Sequence, residues 1–191
     1  MRVLVHVVLA VSLVGGVFRP AEAGRVADQL KIDIDRVLQV VHDPGLRGDV
    51  QERRLAVHRI SARMFDFDEM ARRTLGRYWT ERTASEREDF IHRLGLLVAS
   101  HLVALEARGG DTIEFVGESI QGDEAMVETR VVPIHGRGIA LDYRLLRHDG
   151  ERWLIYDVVV NNASLVGNYG SQFRRIIHMA SYEKLVEKLS R

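Results

Sequence analysis

The chain of 191 residues contains no cysteine. That excludes disulfides and thiolate metal sites, and it excludes the lipid-bearing cysteine by which a lipoprotein is anchored. An excess of one charge is also missing, since 27 basic residues stand against 27 acidic ones. A chain without net charge has no electrostatic reason to bind nucleic acid, and it offers no strongly basic face to a membrane. Beyond the N-terminal segment, no stretch is long and apolar enough to span a bilayer. Internal repeats and low-complexity segments are absent. So are the Walker, G-x-G-x-x-G and G-x-S-x-G patterns. The histidines His6, His42, His58, His92, His101, His135, His148 and His178 include no H-x3-H or HExxH pair, which speaks against zinc.

What is present begins at the N-terminus. Met1-Arg2 is a short basic start. Residues Val3 to Val17 are apolar apart from His6, Ser12 and two glycines, and Ala21-Glu22-Ala23 forms an A-x-A cleavage site before Gly24. This is the layout of a secretory signal peptide, and the apolar stretch is shorter than the roughly 20 residues of a membrane span. Residues 1–23 are expected to be removed, leaving one domain over 24–191 with 25 basic and 26 acidic residues. In a bacterium that product is periplasmic and unlipidated.

Hydrophobic spacing divides the domain into helices, then strands, then helices. Val26, Leu30, Ile34, Val37, Leu38 and Val41 predict a helix over 25–42, stopped by Pro44-Gly45. A second helix is expected over about 50–64 with Leu55, Ile60 and Met64 inward. A short third lies in "FDFDEMARRTLGRYW", with Asp66 or Asp68 near its start. The longest begins at "TASEREDF", where Thr83 with Glu86, or Ser85 with Glu88, fits a capping box. Its broad apolar face carries Phe90, Leu94, Leu97, Val98, His101, Leu102 and Leu105, up to Gly109-Gly110. His101 reads as a satisfied, partly buried histidine.

From Asp111 the period becomes two, predicting strands over 112–120, 125–134, 139–147 and 152–160 joined by "QGDE", "HGRG" and "HDGE". These links imply a four-stranded antiparallel meander in an α+β fold with helices on one sheet face. A two-residue Asp149-Gly150 hairpin pairs Arg147 with Arg152 and Tyr143 with Tyr156. One face then holds Ile139, Leu141, Tyr143, Leu145, Leu154, Tyr156, Val158 and Val160; the other, mixed, holds Asp142, Arg144, Trp153, Ile155 and Asp157. After the corner at Asn161-Asn162, Ser164 is placed to N-cap a helix bearing Leu165, Val166, Tyr169, Phe173, Ile176, Ile177 and Ala180 on one stripe. That helix covers the apolar face, enclosing either a solid core or a ligand cavity.

The stretch "YDVVVNNASLVGNYGSQFRRII" resembles a signature of the MlaC family, the toluene-tolerance auxiliary proteins of ABC transporters. The matching residues are Tyr156-Asp157-Val158, Ser164-Leu165-Val166, Asn168-Tyr169, Gln172-Phe173 and Ile176-Ile177. "FDFDEMARRTLGRYW" and "EREDFIHRLGLLV" also look like that family. The family's acid and glycine at the corner are replaced by Asn162-Ala163. The resemblance implies a cystatin-like or NTF2-like cone holding phospholipid acyl chains in an apolar cavity. It implies no enzyme and no cofactor, and a monomer that passes phospholipid between an outer-membrane lipoprotein complex and an inner-membrane ABC transporter with its substrate-binding ring. Some relatives accompany hopanoid pathways. Under that reading the lining comprises Leu97, Val98, His101 and Leu102; Val127, Thr129 and Val131; Leu141, Tyr143, Tyr156 and Val158; and Leu165, Tyr169 and Phe173. Gly167 and Gly170 make the helix from Leu165 a candidate gate, although they could equally serve close packing. The rivals are a small-ligand enzyme of the ketosteroid-isomerase type, which needs a carboxylate inside the cavity, and an interaction module with a filled core.

Overall fold

Each helix after the first starts where the sequence supplies a cap. The computed structural model describes residues 24–46, 48–106, 112–133 and 137–190, the side chains of 103–106 excepted. The expected leader, the side chain of Leu105, Gly109-Gly110 and His135-Gly136 of the "HGRG" link lie outside the described residues. Helix α1 runs Arg25–Val41, α2 Val50–Ser61, α3 Phe67–Leu75 and α4 Ala84–Glu106. Asp49 caps α2, its carboxylate accepting the Gln51 and Glu52 N–H groups at 2.8 and 2.9 Å. Asp66 caps α3 by accepting the Glu69 N–H at 2.9 Å. At α4 the capping box is Thr83 with Glu86: the Thr83 N–H reaches Glu86 Oε2 at 2.7 Å, and the Glu86 N–H reaches Thr83 Oγ1 at 3.3 Å. Ser85 lies inside the helix. Along α2 the expected inward Leu55 is 44% exposed and Val57 is fully buried instead.

The sheet has five strands in the order β1-β2-β3-β4-β5, all antiparallel neighbours, one more than the meander read from the sequence. They are β1 Thr112–Gln121, β2 Glu124–Val132, β3 Ile139–His148, β4 Arg152–Val160 and the two-residue β5 Ala163–Ser164. Helix α5 (Leu165–Met179) and α6 (Tyr182–Leu189) close the chain. Two bulges shape the sheet. One lies in β1 between Phe115 and Gly117; the other lies in β4, where Arg144 pairs with Asp157 and Leu145 with Ile155, so that Tyr156 is extra. Bulges bend a strand and sharpen its twist, which curves the sheet.

The β3–β4 register corrects the expected one. The hairpin pairs His148 with Arg152, so Asp149-Gly150-Glu151 form a longer loop and Arg147 faces Trp153. That moves Trp153 and Ile155 onto the apolar face with Leu145, and Leu154 off it. The bulge then restores Val158 opposite Tyr143 and Val160 opposite Leu141.

Beyond β4 the sheet edge is covered twice. Near the hairpin, Met64–Asp66 runs parallel to β4, with the Ile155 N–H on the Met64 carbonyl and the Asp66 N–H on the Ile155 carbonyl, each at 2.8 Å. At the far end β5 pairs with Val159 and Val160. Helix α1 spans the apolar face between two anchors. Glu118 of β1 accepts the Ala27 N–H at 2.7 Å, and Gln29 bonds both the N–H and the carbonyl of Trp153 in β4 at 3.1 and 2.7 Å.

Candidate functional site

The apolar face is built in rows by strand register. Its deep rows carry Ala125, Val127, Thr129, Tyr143, Leu145, Trp153 and Ile155, all buried. Thr129 is tolerated there because its hydroxyl donates to the Leu141 carbonyl. Burial pushes the Tyr143 phenol well above its ordinary range, so it stays neutral. The opposite end of the same face is only half-buried: Ile113 and Phe115 of β1, Val131 of β2, Ile139 and Leu141 of β3, and Val158 of β4. Val160 is 36% exposed. The face is therefore sealed at the hairpin end and open at the corner end.

Half-buried Leu97 and Leu102 of α4, and Leu165 and Tyr169 of α5, pack against the same continuous core as Leu141 and Val158. Val98 and Phe173 are buried within it. Aromatic contacts tie α5 to α4: Tyr169 stacks on Phe173 at 5.4 Å, and Phe173 meets Phe90 edge-on at 5.9 Å. His101 is exposed and bonded at both nitrogens. Its Nδ1 lies 2.8 Å from the Leu97 carbonyl, so it donates there, and its Nε2 accepts from the Tyr169 hydroxyl at 3.1 Å. The sequence reading of a satisfied histidine holds for the bonding, while the ring sits at the surface. Tyr169 is half-buried and its phenol is pushed upward by that burial.

Of the expected lining residues, Tyr156 does not join the others. As the bulge residue it sits on the mixed face, bordering a shallow hollow of about 200 Å³ with Met126, Arg144 and Glu124. The Arg73 guanidinium covers its ring at 4.2 Å. Burial, and then Glu124, raise its phenol. Ile113, Phe115, Trp153 and Ile155 belong to the apolar face but were not read as its lining. The period-two signal in β1 is broken at Val116 by the bulge, and the longer hairpin hid the two β4 residues.

The sequence pattern places Asp157 on the mixed face. It is buried at 3% exposure and organises the corner. Its carboxylate accepts the Ser164 hydroxyl at 2.7 Å and the Val166 N–H at 3.0 Å, and it pairs with Arg144 at 3.2 Å. Ser164 in turn accepts the Gly167 N–H at 2.9 Å, which makes it the N-cap of α5. Asn161 and Asn162 adopt φ values of 48° and 68°, a left-handed pair that asparagine tolerates. Asn161 locks onto β3, its N–H on the Ala140 carbonyl at 3.0 Å and its Oδ1 accepting the Ala140 N–H at 3.2 Å. Gly170 is buried where α5 crosses α3, and a Cβ there would stand 3.3 Å from the Thr74 carbonyl and 2.5 Å from Arg174. This glycine permits a close approach. Along the stripe, Ala180 is exposed instead of inward.

On the mixed-face side, a separate open hollow of about 680 Å³ is lined by His58, Phe65, Asp66, Phe67, His92, His148 and others. His148 lies 2.8 Å from the Asp66 carboxylate. His58 stacks on Phe67 and meets His92 edge-on at 5.1 Å; its burial, and then His92, lower its pKa below 6.5. Among the described residues no group of three or more His, Asp or Glu is placed to hold a metal ion, and no helix is long and apolar enough to cross a membrane.

An α+β chain with a curved antiparallel sheet and one apolar face half-open, with Asp142 and Asp157 on the opposite face, has the form of a binding protein for an apolar ligand. The family model described as MlaC protein matches residues 33–191, and the chain belongs to the MlaC family. Among solved structures it is similar to the phospholipid-binding protein from Ralstonia solanacearum, determined in complex with a phospholipid. The two share 23% identity with a TM-score of 0.71, covering 86% of this chain and 94% of that one. No curated protein matches the sequence at a significant level.

Proposed function

We propose that the protein is a carrier of phospholipid, exported to the periplasm by residues 1–23, which are then removed. In this reading it exchanges lipid between an outer-membrane lipoprotein complex and an inner-membrane ABC transporter with its substrate-binding ring. The observation that carries the reading is the sheet face that is apolar throughout its central rows yet open at the corner end. Such exposure is costly unless something apolar covers it. Acyl chains fit that need. Each methylene removed from water contributes about 0.8 kcal/mol, so a two-chain lipid with roughly 30 of them faces a barrier on the order of 20 kcal/mol in crossing water unaided. Membership of the MlaC family and likeness in fold to a phospholipid-binding protein support the same reading. Catalysis is disfavoured because Asp142 and Asp157 lie on the mixed face, the latter engaged by Ser164, Val166 and Arg144, and because Glu118, the acid on the apolar side, is engaged by the Gly24 and Ala27 N–H groups.

The mouth lies beside α5. The His101–Tyr169 bond is the polar tie between α4 and the start of α5, and it is exposed and so exchangeable with water. Loosening α5 at this tie admits and releases lipid. Protein purified without detergent is expected to carry about one diacyl phospholipid per chain, detected by mass spectrometry of an organic extract. Lipid-free protein that also refuses labelled phospholipid would refute the reading. A hopanoid in the extract would change the cargo and keep the mechanism.

A further inference from the structure

Glu118 is the one acidic residue among the paired positions of the apolar sheet face. It stands directly opposite Val127, and Ile120 follows on the same side of β1. A half-buried carboxylate at such a position gains from a positive partner. Its two oxygens are aimed at the start of α1: Oε1 lies 3.1 Å from the Gly24 nitrogen and Oε2 lies 2.7 Å from the Ala27 nitrogen. Gly24 takes a left-handed φ of 96° and, as the N-cap residue, supplies no side chain to cap the helix, so the first turn depends on Glu118. Gly24 is also the residue that follows the A-x-A cleavage site.

We propose that proteolytic maturation at the Ala23–Gly24 bond creates the partner of Glu118, and that the new N-terminus is a latch that seals the apolar face. The inference rests on the export reading above. Hydrolysis adds the oxygen of water to the Ala23 carbonyl carbon and breaks the C–N bond. The Gly24 nitrogen keeps the bonding pair, takes a proton to become an amine, and takes a second to become an ammonium. An α-amino group with an ordinary pKa of about 7.7–8.0 is mostly charged at neutral pH. The ammonium replaces a neutral amide at the position already facing Glu118, and the hydrogen bond becomes an ion pair. Without Glu118 the new charge would sit badly, because it lies at the positive end of the α1 dipole.

The latch acts on the element that closes the deep end of the sheet. Val26 and Leu30 of α1 are each 1% exposed, and α1 has its second anchor at Gln29 on Trp153. An uncut chain holds only the weaker, neutral half of the β1 anchor. The precursor therefore has a less secure seal than the mature protein, which suits a chain that must cross a membrane before it folds.

The test uses the full chain with residues 18–23 replaced by a recognition sequence that a site-specific protease cuts immediately before Gly24. Equilibrium unfolding is measured before and after cutting, with Glu118 and with Glu118→Gln. Cutting is expected to raise the folded-to-unfolded ratio about threefold or more when Glu118 is present, the scale of an exposed ion pair, and to give no such gain with Glu118→Gln. If that variant does not fold, selective acetylation of the α-amine of the cut, unsubstituted protein must abolish the gain. An equal gain with and without Glu118, a gain that survives acetylation, or an exported protein whose mass places its N-terminus elsewhere would overturn the latch. Lipid extraction from the same samples keeps the two ideas apart: bound phospholipid without the coupling overturns the latch alone, and the coupling without lipid upholds the latch while overturning the carrier.

Discussion

Replacing Asp157 with alanine is the most direct probe of the corner that joins sheet to α5. The carboxylate is 3% exposed and serves Ser164, Val166 and Arg144 at once. Hydrogen bonds to a charged group contribute about 1.5–3 kcal/mol, and an orphaned buried N–H such as that of Val166 falls within the same range. The Arg144 pair adds under about 1 kcal/mol, because the arginine side chain is 44% exposed. Asp157→Ala is therefore expected to cost about 3 kcal/mol. For a domain of this size each kcal/mol moves the Tm by about 2–4 °C, so the midpoint should fall by about 8 °C. Asp157→Asn keeps an acceptor for the Val166 N–H and loses only the charge, and about half the cost is expected. Thermal unfolding by circular dichroism gives the midpoints, and hydrogen exchange at the Val166 and Gly167 amides localises the loss to the start of α5. The reasoning fails if Asp157→Ala lies within about 0.5 kcal/mol of the parent, the scatter of ordinary surface changes, or if Asn costs as much as Ala.

Four further outcomes are expected. Leu141→Asp or Val158→Asp places a charge on the apolar face and should abolish lipid loading; full loading by mass spectrometry would mean that lipid lies elsewhere. Gly170→Ala should destabilise the protein by about 1–3 kcal/mol in chemical denaturation, because the added carbon crowds the α3 crossing at Thr74, whereas Tyr169→Phe should leave stability within about 1 kcal/mol and speed the transfer of labelled lipid between vesicles by freeing α5 from His101. His58, whose folded pKa is lowered below 6.5, binds a proton more readily when unfolded, so stability is full above about pH 6.5 and declines as pH falls from there toward the folded value. His58→Gln should remove that part of the acid-side loss, read from denaturation midpoints at pH 7.5, 6 and 5 by the narrowing of the difference between the two proteins on the acid side.

Much of the fold was legible because local chemistry and tertiary structure agree. Asp66, Thr83 with Glu86, and Ser164 cap the helices that they were expected to cap. The period of two from residue 112 onward produced the strands. Errors gathered where backbone geometry departs from regular. A hairpin one residue longer than expected moved Trp153, Leu154 and Ile155 to opposite faces, and the bulge at Tyr156 then cancelled the slip, leaving Val158 and Val160 where they were placed. Neither a turn length nor a bulge has a strong signature in a single sequence, since several loops can follow Asp-Gly. Leu55 and Val57 were exchanged because α2 is charged around most of its surface and its apolar stripe is narrow. Gly170 reads from sequence as either a weak point or a close contact; the nearby Thr74 carbonyl decides for contact. Asp157 looked like a surface acid because its partners come from the far side of the corner, where sequence spacing says nothing about distance.

The double cover on β4 bears on what the proposed carrier would expose once its site is empty. A strand edge with free N–H and C=O groups is a template on which another chain can extend the sheet. With Met64–Asp66 along one half of β4 and Ala163–Ser164 along the other, that template is taken up by the molecule itself. Of the described strands, β1 is the long one left at a border, and there Glu114 is exposed and the bulge at Val116 breaks the flat ladder that a neighbour would need. In the proposed carriage, layers that part to hand over cargo would thus bare apolar side chains for a time without offering a backbone on which copies of the chain could polymerise.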